Sequence, residues 1–293
     1  MEYTLENQYL RVTVTTWGAQ VKSVVRKSDG VEHMWQADPA VWGYHAPILF
    51  PYTGKLAGGT LEAKGQVFQS ASQHGFARTS EHEFVYQNKE TVVLQLMDSP
   101  ETLAAWPYRF RLLSVFTLEG DTLHHTLTVE NRDTDKLYFG IGYHPAFTVP
   151  FDESHSATDY ELRFSDVESP LCVGTAPKGL VNGKCYYLGR NIRSIPVEEG
   201  MFDSDSHCMV NLTSKTLGIY EKDSGRAVVC DISSFPYTLI WSKPGMPRFI
   251  CIEPWNSLPS PEDGSAKWEE KPAAAVIEPG ESWSTTLSTS FIR

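Results

Sequence analysis

The chain has 293 residues, of which 41% are hydrophobic and 21% charged, a globular composition with enough apolar side chains for a sizeable core. Its 36 acidic and 25 basic residues leave a net charge of −11, which argues against nucleic acid or an anionic membrane surface as a partner. A phosphorylated small molecule stays open as a ligand, because one local basic residue is enough to hold one phosphate.

The first residues, Met1-Glu2-Tyr3-Thr4-Leu5-Glu6, do not join a basic stretch to an apolar one, so no signal peptide is expected. Leu10-Arg11-Val12-Thr13-Val14 alternates with period two, the pattern of a half-buried strand. Ser28-Asp29-Gly30 and Ala57-Gly58-Gly59 read as turns. Val92-Val93-Leu94-Gln95-Leu96 and Phe110-Arg111-Leu112-Leu113-Ser114-Val115-Phe116 read as more deeply buried strands. Between them, Ser99-Pro100-Glu101-Thr102-Leu103 predicts one short helix, since Ser99 can cap it and Pro100 suits its first turn. After the turn Leu118-Glu119-Gly120-Asp121, the segment His125-Thr126-Leu127-Thr128-Val129 puts residues 125, 127 and 129 on one face.

In the C-terminal third, Leu217-Gly218-Ile219-Tyr220 and Ala227-Val228-Val229 flank the turn Lys222-Asp223-Ser224-Gly225 and predict a hairpin. Residues 256–273 are polar and carry Pro259, Pro261 and Gly264, so they read as a long loop or lid. Strand-like sequence resumes at Ala275-Val276-Ile277 and from Trp283 to Phe291. No composition shift and no internal repeat divides the chain. The expectation is therefore an all-β protein, one large β-sandwich domain over residues 1–293. No run approaches the ~18 apolar residues of a membrane span.

The five cysteines are Cys172, Cys185, Cys208, Cys230 and Cys251, an odd number with no CxxC pair. They support neither a zinc ribbon nor a thioredoxin-type site. Buried free thiols, and with them a reducing, cytoplasmic compartment, are the expectation. Aromatics reach 12% with 8 Trp, which first supplies a β core and second offers flat faces for a pyranose.

Three polar constellations stand out. The first is Gln73-His74-Gly75-Phe76-Ala77-Arg78, where a glycine after histidine allows close backbone approach and Arg78 supplies a charged fork. The second is Gly142-Tyr143-His144-Pro145-Ala146-Phe147, and the third Cys251-Ile252-Glu253-Pro254-Trp255-Asn256. In the last two an ionisable residue precedes proline, which biases it toward extended backbone. His144 and Glu253 are thus expected at strand ends among apolar and aromatic neighbours. Taken singly, each motif also reads as an ordinary structural residue. His33, His45, His82, His124, His125, His155 and His207 are read as core or surface histidines.

Together and in this order, the three segments resemble the aldose 1-epimerase family, in its shorter bacterial branch. Trp35-Gln36-Ala37-Asp38-Pro39, Leu49-Phe50-Pro51, Gly54-Lys55-Leu56, Trp241-Ser242-Lys243-Pro244-Gly245 and Glu278-Pro279-Gly280-Glu281 extend the resemblance over nearly the whole chain. The resemblance implies a large antiparallel β-sandwich of the galactose mutarotase type. It implies Glu253 as the base, His144 as the acid and His74 as a second histidine on the substrate. It puts the sugar-binding aspartate on Asp205, with Asp203 two residues away, and Arg78, Lys55 and Trp255 at the substrate. The family's Gly-Arg pair reads Gly54-Lys55 here, and Gly58-Gly59 replaces the Asn-Arg pair that often follows, which leaves the sugar open.

The implied reaction interconverts the α and β anomers of a hexose. A base removes the anomeric hydroxyl proton, an acid protonates the ring oxygen, and the opened aldehyde rotates and closes. Such a reaction calls for no metal and no cofactor. A hexose-6-phosphate 1-epimerase is the nearest alternative, with Lys55 and Arg78 as candidates for the phosphate. A non-catalytic sugar-binding protein on the same fold is a second. A glycoside hydrolase is weaker, because it needs two carboxylates and only Glu253 has a suitable setting.

Overall fold

The computed structural model describes residues 1–70 and 72–293. Strands dominate, as the alternation predicts, and they form two large antiparallel sheets packed as a sandwich. The nine-stranded sheet runs Ile192–Pro196, Tyr160–Glu168, Thr216–Glu221, Ala227–Asp231, Ser282–Ile292, Thr122–Asn131, Phe110–Glu119, Thr91–Met97 and Glu83–Gln87. Strand Thr122–Asn131 shows how period two builds it. Leu123, His125, Leu127 and Val129 are buried on one face. On the other, His124, Thr126 and Thr128 meet the hydroxyls of Ser288, Thr286 and Ser284 across the strand pair at 2.8–2.9 Å.

The second sheet has eight strands. Seven run in the order Cys185–Tyr187, Leu171–Val173, His207–Val210, Tyr237–Trp241, Phe249–Trp255, Gly142–Tyr143 and Ile48–Leu49, and Ala146–Thr148 pairs beside them with Phe249–Trp255. One apolar cluster fills the space between the sheets, with Ile240, Ile250 and Ile252 from one and Leu127, Val129 and Leu287 from the other. The Tyr143 hydroxyl spans that interface, 2.7 Å from the His125 carbonyl and 3.0 Å from that of Thr285. Burying a tyrosine is inexpensive when its hydroxyl is bonded in this way.

The expected hairpin is present as the antiparallel pair Thr216–Glu221 and Ala227–Asp231. Pro100–Ala105 is the one α-helix among the described residues, and Ser99 caps it by accepting the Thr102 N–H at 3.3 Å. Residues 256–273 form a long loop, but an anchored one. The buried Trp268 indole donates to the Tyr138 carbonyl at 2.7 Å, and the buried Lys271 ammonium donates to the Leu258 carbonyl at 2.7 Å. Four cysteines are buried free thiols as expected. Cys185 is free but exposed, because Cys185–Tyr187 is an edge strand. Among the described residues no helix is long and apolar enough to cross a membrane.

Candidate active site

Strand Phe249–Trp255 is buried on both faces, which is why its sequence lacks a visible alternation. Its side chains still alternate. Ile250 and Ile252 enter the sandwich core, while Cys251, Glu253 and Trp255 point to the opposite face. On one side it pairs with Tyr237–Trp241, where Leu239 lies opposite Glu253. On the other, Gly142 lies opposite Trp255 and Ala146 opposite Cys251. Midway between these two register points, His144 falls opposite Glu253. Residues opposite each other in an antiparallel pair share a face. Pro145 and Pro254, the residues that follow them, have no N–H to give a ladder, so the pairing opens at this step.

The result is a close pair. His144 Nε2 is 3.3 Å from Glu253 Oε2. The His144 backbone N–H donates to the Pro47 carbonyl at 3.1 Å, which fixes the main chain. The imidazole stacks on Trp42 with centroids 5.0 Å apart and meets the edge of Trp241 at 5.7 Å. Both partners are buried, with 7% and 2% exposure.

Burial disfavours the charged form of each. It pushes the Glu253 carboxyl well above the usual carboxylate range, and the neighbouring Asp205 carboxylate adds to that. It pulls the His144 imidazole down to about 3, and the Arg78 cation acts in the same direction. A carboxylic acid beside a neutral imidazole holds one proton. A carboxylate beside an imidazolium holds the same one proton. The two forms interconvert by a proton shift across the pair, so it titrates as a unit.

His74 belongs to a loop clasped on residues 50–54. Its N–H donates to the Gly54 carbonyl at 2.7 Å, and the Gly54 N–H donates back to its ring Nδ1 at 2.9 Å. With Nδ1 committed as an acceptor, the neutral ring carries its proton on Nε2 and presents a donor. Burial first, then the His144, Arg78 and Lys55 charges, hold its pKa well below the ordinary value. The following Gly75 has φ 73°, and a Cβ there would lie 2.2 Å from the Phe50 carbonyl oxygen, so no larger residue fits.

His74 and Asp205 both sit at positive φ, 71° and 80°. Such backbone costs of order 1–2 kcal/mol in a non-glycine residue and gathers at ligand sites. The structure separates the two aspartates. Asp205 is half-buried on the cleft, and its carboxylate accepts the Ser206 N–H at 2.8 Å. Asp203 is exposed and binds the Gly245 N–H at 2.9 Å instead.

Glu253, His144, His74, Asp205, Arg78, Lys55 and Trp255 all line one cleft of about 250 Å³, small for a ligand pocket. Trp255 forms a wall, edge-on to His74 at 5.5 Å, with its indole N–H donated to the Tyr143 carbonyl at 3.3 Å. Sequence reasoning gave no site role to three neighbours. Trp42 stacks on His144 and Thr175 lines the cleft with no local pattern to mark either, and Trp241, whose Trp-Ser-Lys-Pro-Gly segment carries part of the resemblance, lines the cleft without having been given a site role.

Among the described residues, two side-chain clusters have the make-up of a metal site. Cys251 lies with His144 and Glu253, the ligand atoms all within 4.8 Å of one another. His144 Nδ1, however, lacks the hydrogen bond to a carboxylate or carbonyl that usually orients a metal-binding imidazole. In the other cluster, Asp152, His155 and Glu221, the Arg226 guanidinium already bonds both carboxylates and supplies the positive charge.

The profile of the aldose 1-epimerase family matches residues 1–290. The chromosomal protein LacX of Lactococcus lactis is 33% identical over 288 residues, 95% of each chain. A galactose mutarotase related enzyme from Lactobacillus acidophilus superposes with a TM-score of 0.94 at 25% identity, covering 100% of this chain and 98% of that one. A galactose mutarotase-like protein from Lactobacillus casei gives 0.91 at 27% identity, covering 99% of each. The pairing of sheets, the cleft on the outer face of the second sheet and these likenesses agree, and the chain belongs to the aldose 1-epimerase family.

Proposed function

We propose that the protein is an aldose 1-epimerase, with Glu253 as general base and His144 as general acid. The observation that carries this reading is the buried pair 3.3 Å apart on the wall of a sugar-sized cleft. In the ion-pair form, the Glu253 carboxylate takes the anomeric hydroxyl proton while the His144 imidazolium protonates the ring oxygen. The bond from C1 to the ring oxygen breaks and the aldehyde forms. Glu253 is then a carboxylic acid and His144 a neutral imidazole, the form that burial favours for both. Rotation about C1–C2 and the reverse transfers give the other anomer. No proton enters or leaves the site.

The remaining residues orient the ring. His74 offers an N–H donor at Nε2, Asp205 offers a carboxylate acceptor, and Trp255 and Trp241 offer apolar faces. The chemistry asks for no redox centre or electrophile. The five free thiols support placing the activity in the cytoplasm.

Freshly dissolved crystalline α-glucose and α-galactose test the proposal by polarimetry. The protein is expected to speed the approach to the equilibrium rotation for at least one aldose. No acceleration of any aldose, free or charged, by folded protein would overturn it.

A further inference from the structure

The aromatic surroundings of His144 are unequal. Its imidazole lies nearly parallel to the Trp42 indole, with 25° between the planes and 5.0 Å between centroids, whereas Trp241 stands at 83° and 5.7 Å. The flat side of an aromatic ring carries the negative part of its quadrupole and the rim the positive part. Trp42 therefore turns an electron-rich face toward the imidazole, within the roughly 6 Å over which such a face attracts a cation. The indole is also held in place. The Trp42 N–H donates to the Asp38 carbonyl at 2.8 Å, and the Trp42 carbonyl accepts the Trp35 indole N–H at 2.8 Å. The Phe249 ring stacks on it at 5.5 Å and 20°. Trp42 is half-buried and does not line the cleft, so it reaches the chemistry only through His144.

The imidazole has little else to orient it or to favour its charged form. His144 Nδ1 is buried with no partner of hydrogen-bonding geometry in the protein, where an imidazole that transfers protons commonly meets a carboxylate or a carbonyl. Among the groups around the ring, Glu253 at 3.3 Å favours the imidazolium, while desolvation and the Arg78 cation oppose it. The neutral His74 ring stands at a right angle, 5.7 Å away. The transfer described above starts from carboxylate and imidazolium, the form that burial disfavours in both partners. A second carboxylate beside His144 would stabilise the cation but would also compete for its proton. An indole face attracts the cation and has no lone pair that accepts a proton.

We propose that Trp42 is a positioning residue for the reaction, whose π face steadies the His144 imidazole and stabilises its imidazolium form opposite Glu253. This rests on the epimerase reading above. The stacking fixes the plane of a ring that lacks a hydrogen bond at Nδ1. The π attraction acts only while the ring is charged, so it favours the ion-pair state from which the sugar is opened and fades once the proton has moved.

The test places tryptophan carrying one, two or four fluorines at position 42 alone. Each fluorine draws density from the π face and leaves the shape of the ring nearly unchanged. The kcat for anomer exchange of the preferred aldose is expected to fall stepwise, by about three- to tenfold at four fluorines, with KM within about twofold of native. The same series at Trp283, whose ring contact is with Phe139 at 5.5 Å, is expected to leave kcat unchanged. Trp42→Leu keeps an apolar cover without a π face and is expected to lose more in kcat than the four-fluorine ring. A kcat that stays flat across the series at position 42, an equal fall at Trp283, or a Trp42→Leu protein as fast as native would each overturn the role of Trp42 and leave the epimerase reading standing. If no aldose exchanges faster, the epimerase reading falls and nitrogen-15 NMR of the His144 ring judges the contact alone. At pH 4 a group that protonates near about 3 is roughly one-tenth charged. Four fluorines at position 42 are expected to cut that fraction about threefold, and an unchanged fraction would overturn the contact.

Discussion

Replacing Glu253 by glutamine separates the chemistry of the carboxyl from its place in the fold. The side chain is 2% exposed and burial favours its uncharged form, which an amide copies in volume and polarity. The amide can also donate to His144 Nε2, now 3.3 Å from Oε2. No cavity opens and no buried charge loses its partner, so stability is expected within about 1 kcal/mol of native. Proton transfer, in contrast, is abolished. General acid–base help is worth about 10²–10⁴ in rate, or about 2.7–5.4 kcal/mol in the barrier at 1.36 kcal/mol per decade. The assay is anomer exchange with the preferred sugar, beside urea unfolding of both proteins. A folded Glu253→Gln protein whose catalysed rate stays within about threefold of native would refute the role of Glu253.

Other outcomes follow from the same geometry. The protein-dependent rate is expected to hold from pH 6.5 to 5, because His144 accepts a second proton only near about 3; loss of rate centred near 6.5 would mark an ordinary imidazole. His33, His82 and His125 are buried with pKa values lowered to about 3, 4 and 3. Below 6.5 the unfolded chain binds protons that the folded chain refuses, so stability falls with falling pH by about 1.4 kcal/mol per unit for each histidine. Urea midpoints that stay flat from pH 6.5 to 5 would contradict this. Gly75→Ala would force a Cβ to 2.2 Å from the Phe50 oxygen at φ 73°, and is expected to cost about 2–4 kcal/mol and displace His74. Gly30→Ala has nothing within 4 Å at the same φ. It is the control, losing about 1 kcal/mol and no activity; equal losses in the two would refute the packing argument.

Strand existence was legible because period two is local. The segment from His125 to Val129 alternates in sequence and in burial alike. The Ser99 cap was legible for the same reason, since capping chemistry lies within four residues. The meeting of His144 with Glu253 was not, because it depends on strand register over 109 positions, and spacing carries no such information. The choice between Asp203 and Asp205 was equally hidden. Both lie in one loop, and only its fold turns one toward the cleft and the other toward Gly245. Trp42 escaped notice because it reaches His144 from a segment with no strand pattern, and aromatic content alone does not say which ring stacks on what. The loop over 256–273 was placed correctly, but its anchoring by Trp268 and Lys271 is tertiary and invisible in a polar, proline-containing run.

The proline-flanked break between Gly142 and Ala146 has a consequence for how this site tolerates change. His144 and Glu253, the proposed acid and base, face each other across this strand pair with no long loop between them to absorb an error. Adding or deleting one residue there would rotate one partner into the sandwich interior while leaving most of the sheet intact. Such a protein would fold and yet lack the activity proposed for the pair. The His144–Glu253 pair therefore works as a gauge of alignment, and length variation in descendants of this chain should be absent from 142–146 and 251–255 and concentrated in outlying connections such as residues 256–273.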